Sequence, residues 1–285
     1  MLATDLKANP IGVTDSGLGG LSVLRELQRQ LPRERFIYLA DQSYMPYGDK
    51  PFHEISDRVF RLATWYQQQQ CKALVLACNT ATAIAVTRIR QSFPNWPVVA
   101  IEPAVKPASL MTKNGCIGIL ATANTLASER LKNLVAQYQG VVKVVAEPCP
   151  GLVELIEQNP NQIERLRAYL QPRLAALLAQ QVDVIVLGCT HYPFVRQLIE
   201  DLAGPYVQVI DTGFAVARQL KTVLAQHDLL WQPVASCSEF ESQPFYSSPG
   251  NVQWYTTSDA AAFQRSLIQL LGDQWSNSVV NHLPI

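Results

Sequence analysis

One short apolar run occurs twice in this chain, and each copy ends in a cysteine. Leu74-Val75-Leu76-Ala77-Cys78-Asn79-Thr80 resembles Ile185-Val186-Leu187-Gly188-Cys189-Thr190-His191, 111 residues further on. A second pair precedes them: Ile11-Gly12-Val13 before Asp15-Ser16, and Ile117-Gly118-Ile119 before Ala121-Thr122, at an offset of 106. Two matches at similar offsets imply two units of common plan. Short β-rich runs alternate with helical patterns at 10–14, 21–30, 36–39, 55–69, 73–77, 81–91 and 98–101. The rhythm restarts at 116–120 and continues through 126–138, 142–146, 162–181, 183–187 and a helix from Phe194. Such alternation makes parallel strands joined by helices. The expected fold is therefore α/β, with two pseudo-symmetric lobes, each a mainly parallel sheet flanked by helices, and a site in the cleft between them. The first lobe is expected to take residues 1–101 and 211–285, and the second 102–210. The second repeat is complete by Ile210, which leaves the helix 214–227, the strand 252–257 and the helix 260–271 to complete the first. The polar, Ser- and Pro-containing stretch 233–250 reads as a surface loop.

Composition narrows the function. Hydrophobic residues make up 48% and charged residues 16% of the 285, a balance that suits a well-buried chain and not a disordered one. Lys plus Arg equals Asp plus Glu at 23 each, so no overall field recommends nucleic acid or a membrane surface as partner. A small ligand fits better. The six cysteines, at 71, 78, 116, 149, 189 and 237, include no CxxC pair and read as reduced thiols. Cys189 and His191 form the only tight Cys/His pair, too few ligands for a tetrahedral zinc, so no metal is expected. Residues 1–10 lack the apolar core of a signal peptide, and the apolar stretches elsewhere stop short of membrane-spanning length. The expectation is a soluble cytoplasmic protein.

Ligands of parallel sheets bind beyond the carboxyl ends of the strands, where Cys78 and Cys189 both lie. Each is read as beginning a helix, whose free N–H groups and positive dipole end favour thiolate and lower the pKa from about 8.5. A lone cysteine at a strand end is most often a small buried hydrophobe. A symmetric pair across a cleft is better explained as two acid/base groups, one removing a proton from a carbon and the other returning one to the opposite face. Asn79, Thr80, Thr190 and His191 offer the hydrogen bonds that a carboxylate and an ammonium require. His191 reads as an aid to Cys189 or a carboxylate holder, with a structural histidine as the alternative. The turn Asp15-Ser16-Gly17-Leu18-Gly19-Gly20 has no nucleotide-binding glycine spacing, and Asp15 would repel a phosphate. Asp15 is read as a partner for a substrate ammonium or a thiol, with a plain helix cap as the alternative.

Asp15-Ser16-Gly17-Leu18-Gly19-Gly20-Leu21, Pro46-Tyr47-Gly48, Ala77-Cys78-Asn79-Thr80-Ala81 and Leu187-Gly188-Cys189-Thr190-His191-Tyr192-Pro193 together resemble glutamate racemase, of the aspartate/glutamate racemase family. The resemblance spans roughly residues 11–220, and the later 254–259 is similar to the family's closing strand. It implies an isomerase that needs no pyridoxal phosphate, metal or other cofactor, a homodimer, and glutamate held between the lobes by Asp15, Ser16, Pro46, Tyr47, Gly48, Asn79, Thr80, Thr122, Thr125, Thr190 and His191. By the same resemblance Asp41 and Glu157 match carboxylates that support the thiols, with Glu154 three residues away as the alternative to Glu157. Cys78 would deprotonate D-glutamate and Cys189 L-glutamate, supplying D-glutamate for peptidoglycan. Two departures stand out: Thr14 replaces a frequent aromatic, and no tyrosine follows Ala121-Thr122-Ala123-Asn124-Thr125. Rival readings are an aspartate racemase or related isomerase, and a non-catalytic amino-acid binding protein; the latter leaves a cysteine in each lobe unexplained.

Overall fold

The computed structural model describes residues 6–158, 162–231 and 251–284, so the expected loop at 233–250 lies outside the described residues. Among the described residues ten strands form two sheets: β1 Ile11–Asp15, β2 Phe36–Ala40, β3 Ala73–Leu76, β4 Val98–Ala100, β5 Cys116–Ala121, β6 Lys143–Pro148, β7 Val184–Leu187, β8 Gln208–Ile210, β9 Val252–Thr256 and β10 Val280–His282. The first sheet runs β10-β9-β2-β1-β3-β4 and the second β6-β5-β7-β8. Every pairing in both is parallel.

The strands read as apolar runs because both faces of each sheet are covered. Alternate residues divide between two cores, as the period of two demands. Ile11, Val13, Tyr38, Ala73 and Val75 pack with the helices Leu21–Gln30 and Gly213–Gln226. Ile37, Leu39, Leu74 and Leu76 face the helices Phe52–Gln68 and Asn79–Ser92 on the other side. In the second sheet, Leu120, Ile185 and Leu187 meet the helices Leu152–Gln158, Ile163–Leu178 and Arg196–Ala203. Ile117, Ile119, Val184 and Val186 meet Val105–Met111 and Glu129–Ala136. Strand β9 pairs with β2, which extends the first sheet by residues from the chain's tail. Among the described residues no helix is long and apolar enough to cross a membrane.

Three elements differ from the sequence expectation. The helix expected over 126–138 is two, Ala123–Ala127 and Glu129–Ala136, because Ser128 leaves the helical region and caps the second by accepting the Leu131 N–H at 3.2 Å. Cys189 does not open an α-helix: a turn leads into the 3₁₀ segment Tyr192–Val195 before the helix Arg196–Ala203, so the dipole argument applies to Cys78 alone. Strand β10 pairs beside β9, where its alternation was too short to read.

The sheets meet at their carboxyl ends. Thr190 Oγ1 donates to Asp15 Oδ2 at 2.8 Å, the Leu18 N–H donates to Glu157 Oε1 at 2.7 Å, and Thr80 and Thr122 share a hydroxyl bond of 2.9 Å. The space enclosed between these contacts is the candidate site.

Candidate active site

Two tight turns let the lobes approach so closely. A Cβ on Gly17 would collide with the Glu157 carboxylate, and one on Gly19 with the His191 ring and the Thr190 hydroxyl. Backbone therefore docks directly against side chains of the other lobe.

The cavity is lined by Ser16, Pro46, Tyr47, Gly48, Cys78, Asn79, Thr80, Thr122, Cys189, Thr190 and His191, together with Asp49, Cys149 and Glu154. Cys78 enters from the end of β3 and Cys189 from the end of β7, so the two sheets each bring a thiol to the same space, and the second sheet adds Cys149 just after β6. Cys78 caps the helix Asn79–Ser92, its sulfur accepting the Ala81 N–H at 3.5 Å, and its thiol lies 3.7 Å from Ser16 Oγ. The lowered pKa expected of it is corrected here. Burial, reinforced by the nearby Asp15 charge, pushes the Cys78 thiol up to about 12, and the Ala81 amide and Ser16 hydroxyl only partly oppose this.

Cys189 has different company. His191 Nδ1 is 3.8 Å from its sulfur, and His191 Nε2 is 2.6 Å from Glu157 Oε1. The Gly19 N–H also points at Nε2, at 3.1 Å. One nitrogen cannot both donate and accept there; the shorter, charge-assisted contact assigns the proton to the Nε2–Glu157 bond. Burial alone would lower the His191 pKa, but its bonds to Cys189 and Glu157 outweigh that and hold it well above the ordinary value. Burial would raise the Glu157 carboxyl; the His191 bond and charge, with the Leu18 amide and Gln42, instead hold it below the usual range. Cys189, His191 and Glu157 thus form a relay running from the cavity into the lobe contact.

The remaining expected residues divide. Asn79 is buried, and neither its amide nitrogen nor its oxygen has a partner among the described residues, so both are available to a ligand in the cavity it lines. Asp15 stands behind the wall, bonded to the Gly17 N–H at 2.8 Å and to Thr190; burial raises its pKa against the opposing His191 charge. It is not the cap of Leu21–Gln30, whose N-cap residue is Gly20. Thr125 is also behind the wall, 3.2 Å from the Thr80 hydroxyl. Asp41 does not reach a thiol by any hydrogen bond among the described residues. It is fully buried, paired with Arg58 at 2.5 Å, and accepts from Tyr47 Oη at 2.6 Å and Thr257 Oγ1 at 2.8 Å, so it acts on the cavity only by holding Tyr47. Of the two candidate glutamates, Glu157 engages His191, while Glu154 lines the cavity. Arg58, Asp49 and Cys149 were missed. Asp49 follows directly on Pro46-Tyr47-Gly48, and Cys149 follows β6 much as Cys189 follows β7; nothing in the sequence marks Arg58. Among the described residues no group of three His, Cys, Asp or Glu is placed to hold a metal.

The model of the Asp/Glu/Hydantoin racemase family matches residues 11–220. The chain belongs to that family. It is 46% identical to the glutamate racemase of Pseudomonas putida strain W619 over 261 residues, covering 90% of this chain and 98% of that one. The glutamate racemase isoform RacE1 of Bacillus anthracis superposes with a TM-score of 0.83 at 28% identity, covering 98% and 99% of the two chains. The glutamate racemase of Francisella tularensis, solved in complex with D-glutamate, does so with a TM-score of 0.78 at 25% identity, over 97% and 98%. The two-sheet architecture is thus that of racemases, and the paired thiols lie in its cleft.

Proposed function

We propose that the chain is a glutamate racemase that interconverts L- and D-glutamate by a two-thiol, cofactor-independent route and supplies D-glutamate for peptidoglycan. The observation that carries this reading is that Cys78, from the end of a strand in one sheet, and Cys189, from the end of a strand in the other, line a single cavity; we take the lobes to be 1–101 with 211–285, and 102–210. The relatives at 46% identity, and the D-glutamate bound to the Francisella protein, support glutamate as the substrate.

The α-hydrogen of an amino acid is weakly acidic while its carboxylate is ionised, so the site must stabilise the extra negative charge as the proton leaves. Ser16, Asn79, Thr80 and Thr190 supply hydroxyl and amide donors around the cavity. The closed lobes exclude water, which strengthens each of these contacts. In the L-to-D direction Cys189 takes the proton with His191 and Glu157 behind it, and Cys78 delivers one to the other face; the reverse direction exchanges their roles. The buried, protonated Cys78 is suited to delivery in the first case. Asp15 orients Thr190, and Asp41 orients Tyr47.

The enzyme is proposed to work in the cytoplasm, where free thiols persist, and as a homodimer, to be checked by light scattering. The deciding experiment is proton NMR of L-glutamate and D-glutamate separately in D2O with no cofactor added, alongside optical rotation. Exchange of the α-proton with loss of rotation from both enantiomers is expected, as is its loss in Cys78→Ser and Cys189→Ser. Faster exchange of aspartate than of glutamate would replace the substrate assignment. Full activity in either serine variant would end the two-thiol mechanism.

A further inference from the structure

The contacts that close the cleft fall into three sets with different surroundings. Leu18, Gly19 and Ser22 meet Glu157, His191 and Thr190, and Thr80 meets Thr122 and Thr125; the Leu18–Glu157 and Thr80–Thr122 bonds are part-buried and the others buried, and Leu18, Thr80, Thr125, Thr190 and His191 are themselves buried residues. The third set is at the rim. Asn124 Nδ2 donates to the Tyr47 carbonyl at 2.9 Å and to the Lys50 carbonyl at 2.8 Å, in a part-buried position. A primary amide nitrogen carries two hydrogens, so one side chain satisfies both carbonyls. The turn fastened in this way carries Tyr47, Gly48 and Asp49, all of which line the cavity, and Gly48 lies against Thr122. Behind it Cys78 and Cys189 are only 5% and 7% exposed, so glutamate reaches neither thiol unless part of the wall moves.

We propose that Asn124 is the latch of this cleft: releasing its two hydrogen bonds frees the 47–50 turn to admit or discharge substrate, and remaking them holds the closed, water-excluding state. The rim set is the one that opens because Asp49 beside it is exposed and Asn124 and Lys50 are half-buried, so water can replace its partners, whereas parting the other sets unseats the buried Leu18, Thr125, Thr190 and His191. Lids of this kind govern access and release in many enzymes. The inference rests on the racemase reading, and Asn124 is a positioning residue, since it acts through the turn and does not line the cavity.

The chemistry of the latch suggests its own test. Asn124 is the second residue of the short helix capped by Thr122, a place where a carboxylate suits the helix end. Asn124→Asp therefore keeps shape and helix while setting acceptors against two carbonyls. The experiment measures iodoacetamide labelling of each cysteine by mass spectrometry, and racemisation kinetics, in the wild-type protein and in Asn124→Asp, Asn124→Ala and Asn124→Gln. In the Asp and Ala variants, Cys78 and Cys189 should label roughly fivefold to a hundredfold faster, the range carried by two ordinary hydrogen bonds, with a comparable rise in KM. Cys71 and Cys116, buried outside the cavity, should label at the wild-type rate. The Gln variant, which retains the amide, should lie nearer the wild type. Unchanged labelling at Cys78 and Cys189 would overturn the latch, as would equal acceleration at Cys71 and Cys116, which would mark general loosening. A wild-type chain that fails to racemise would overturn the functional reading instead, and the labelling comparison would still decide the latch.

Discussion

The two halves of the site descend from the same strand-end plan and handle a proton differently. Cys78 has a helix start, a backbone amide and a serine hydroxyl, but no imidazole bonded to it among the described residues. Cys189 lacks the helix start and has His191, backed by Glu157. The first half keeps its proton through burial, while the second has a route for passing one on. The two like sheets thus preserve where the thiols stand and leave their hydrogen-bond partners free to diverge, which suits a reaction in which one must be base while the other is acid.

The largest test of this contrast is His191→Asn. L- and D-glutamate have equal free energy, so kcat/KM must stay equal in the two directions in any variant, and asymmetry cannot appear there. We expect kcat/KM to fall about 100-fold in both directions, the scale of a lost acid/base group. The asymmetry should appear in isotope effects: α-deuterated L-glutamate should show the larger increase, because its proton goes to Cys189. An equal increase for D-glutamate would break the comparison.

The Cys78 half is tested by pH. With a thiol near 12, its thiolate fraction should rise about tenfold per pH unit, so its labelling by iodoacetamide should climb without a plateau from pH 7 to 9. A plateau below pH 9 would place this thiol with ordinary reactive cysteines and erase the difference.

The smallest effect is expected from Glu157→Gln, which keeps shape and removes charge: a fall in kcat of about tenfold, the low end for a supporting group. Its signature is in stability against pH. A carboxyl held below its ordinary 4.5 contributes stability that is full above that value and lost as pH falls through the lowered one. A histidine held above its ordinary 6.5 contributes stability that is full below that value and lost as pH rises through the raised one. The pair therefore contributes fully between these limits. Thermal melts should show the variant losing most there, and a uniform loss across pH would reduce Glu157 to a packing residue.

What could be read in advance follows physical range. The strand-end positions of Cys78 and Cys189 were legible because a buried strand announces itself by an unbroken apolar run, and the residue after it has few places to go. The parallel sheets followed from the strand-helix rhythm. The Cys78 pKa was misjudged because a helix start is local and visible in sequence, whereas burial among residues distant in the chain is not. Asp41 was placed near a thiol by resemblance, but its buried carboxylate required a cation, and Arg58 on the helix Phe52–Gln68 supplied it. Asn124 carries no motif; its partners are backbone carbonyls more than 70 residues away, which any sequence provides.

The close docking at Gly17 and Gly19 has a consequence for how such a chain can change over generations. Neither glycine has a left-handed backbone; each is required by the side chains facing it, Glu157 and Met45 at Gly17, His191 and Thr190 at Gly19. Any single-codon replacement there adds a carbon that displaces Glu157 or His191. A lineage under pressure to evade an inhibitor therefore has little freedom at this seam. Its accessible variation lies on the rim, around Asp49 and Glu154, where side chains line the cavity without gripping the opposite lobe by a hydrogen bond among the described residues.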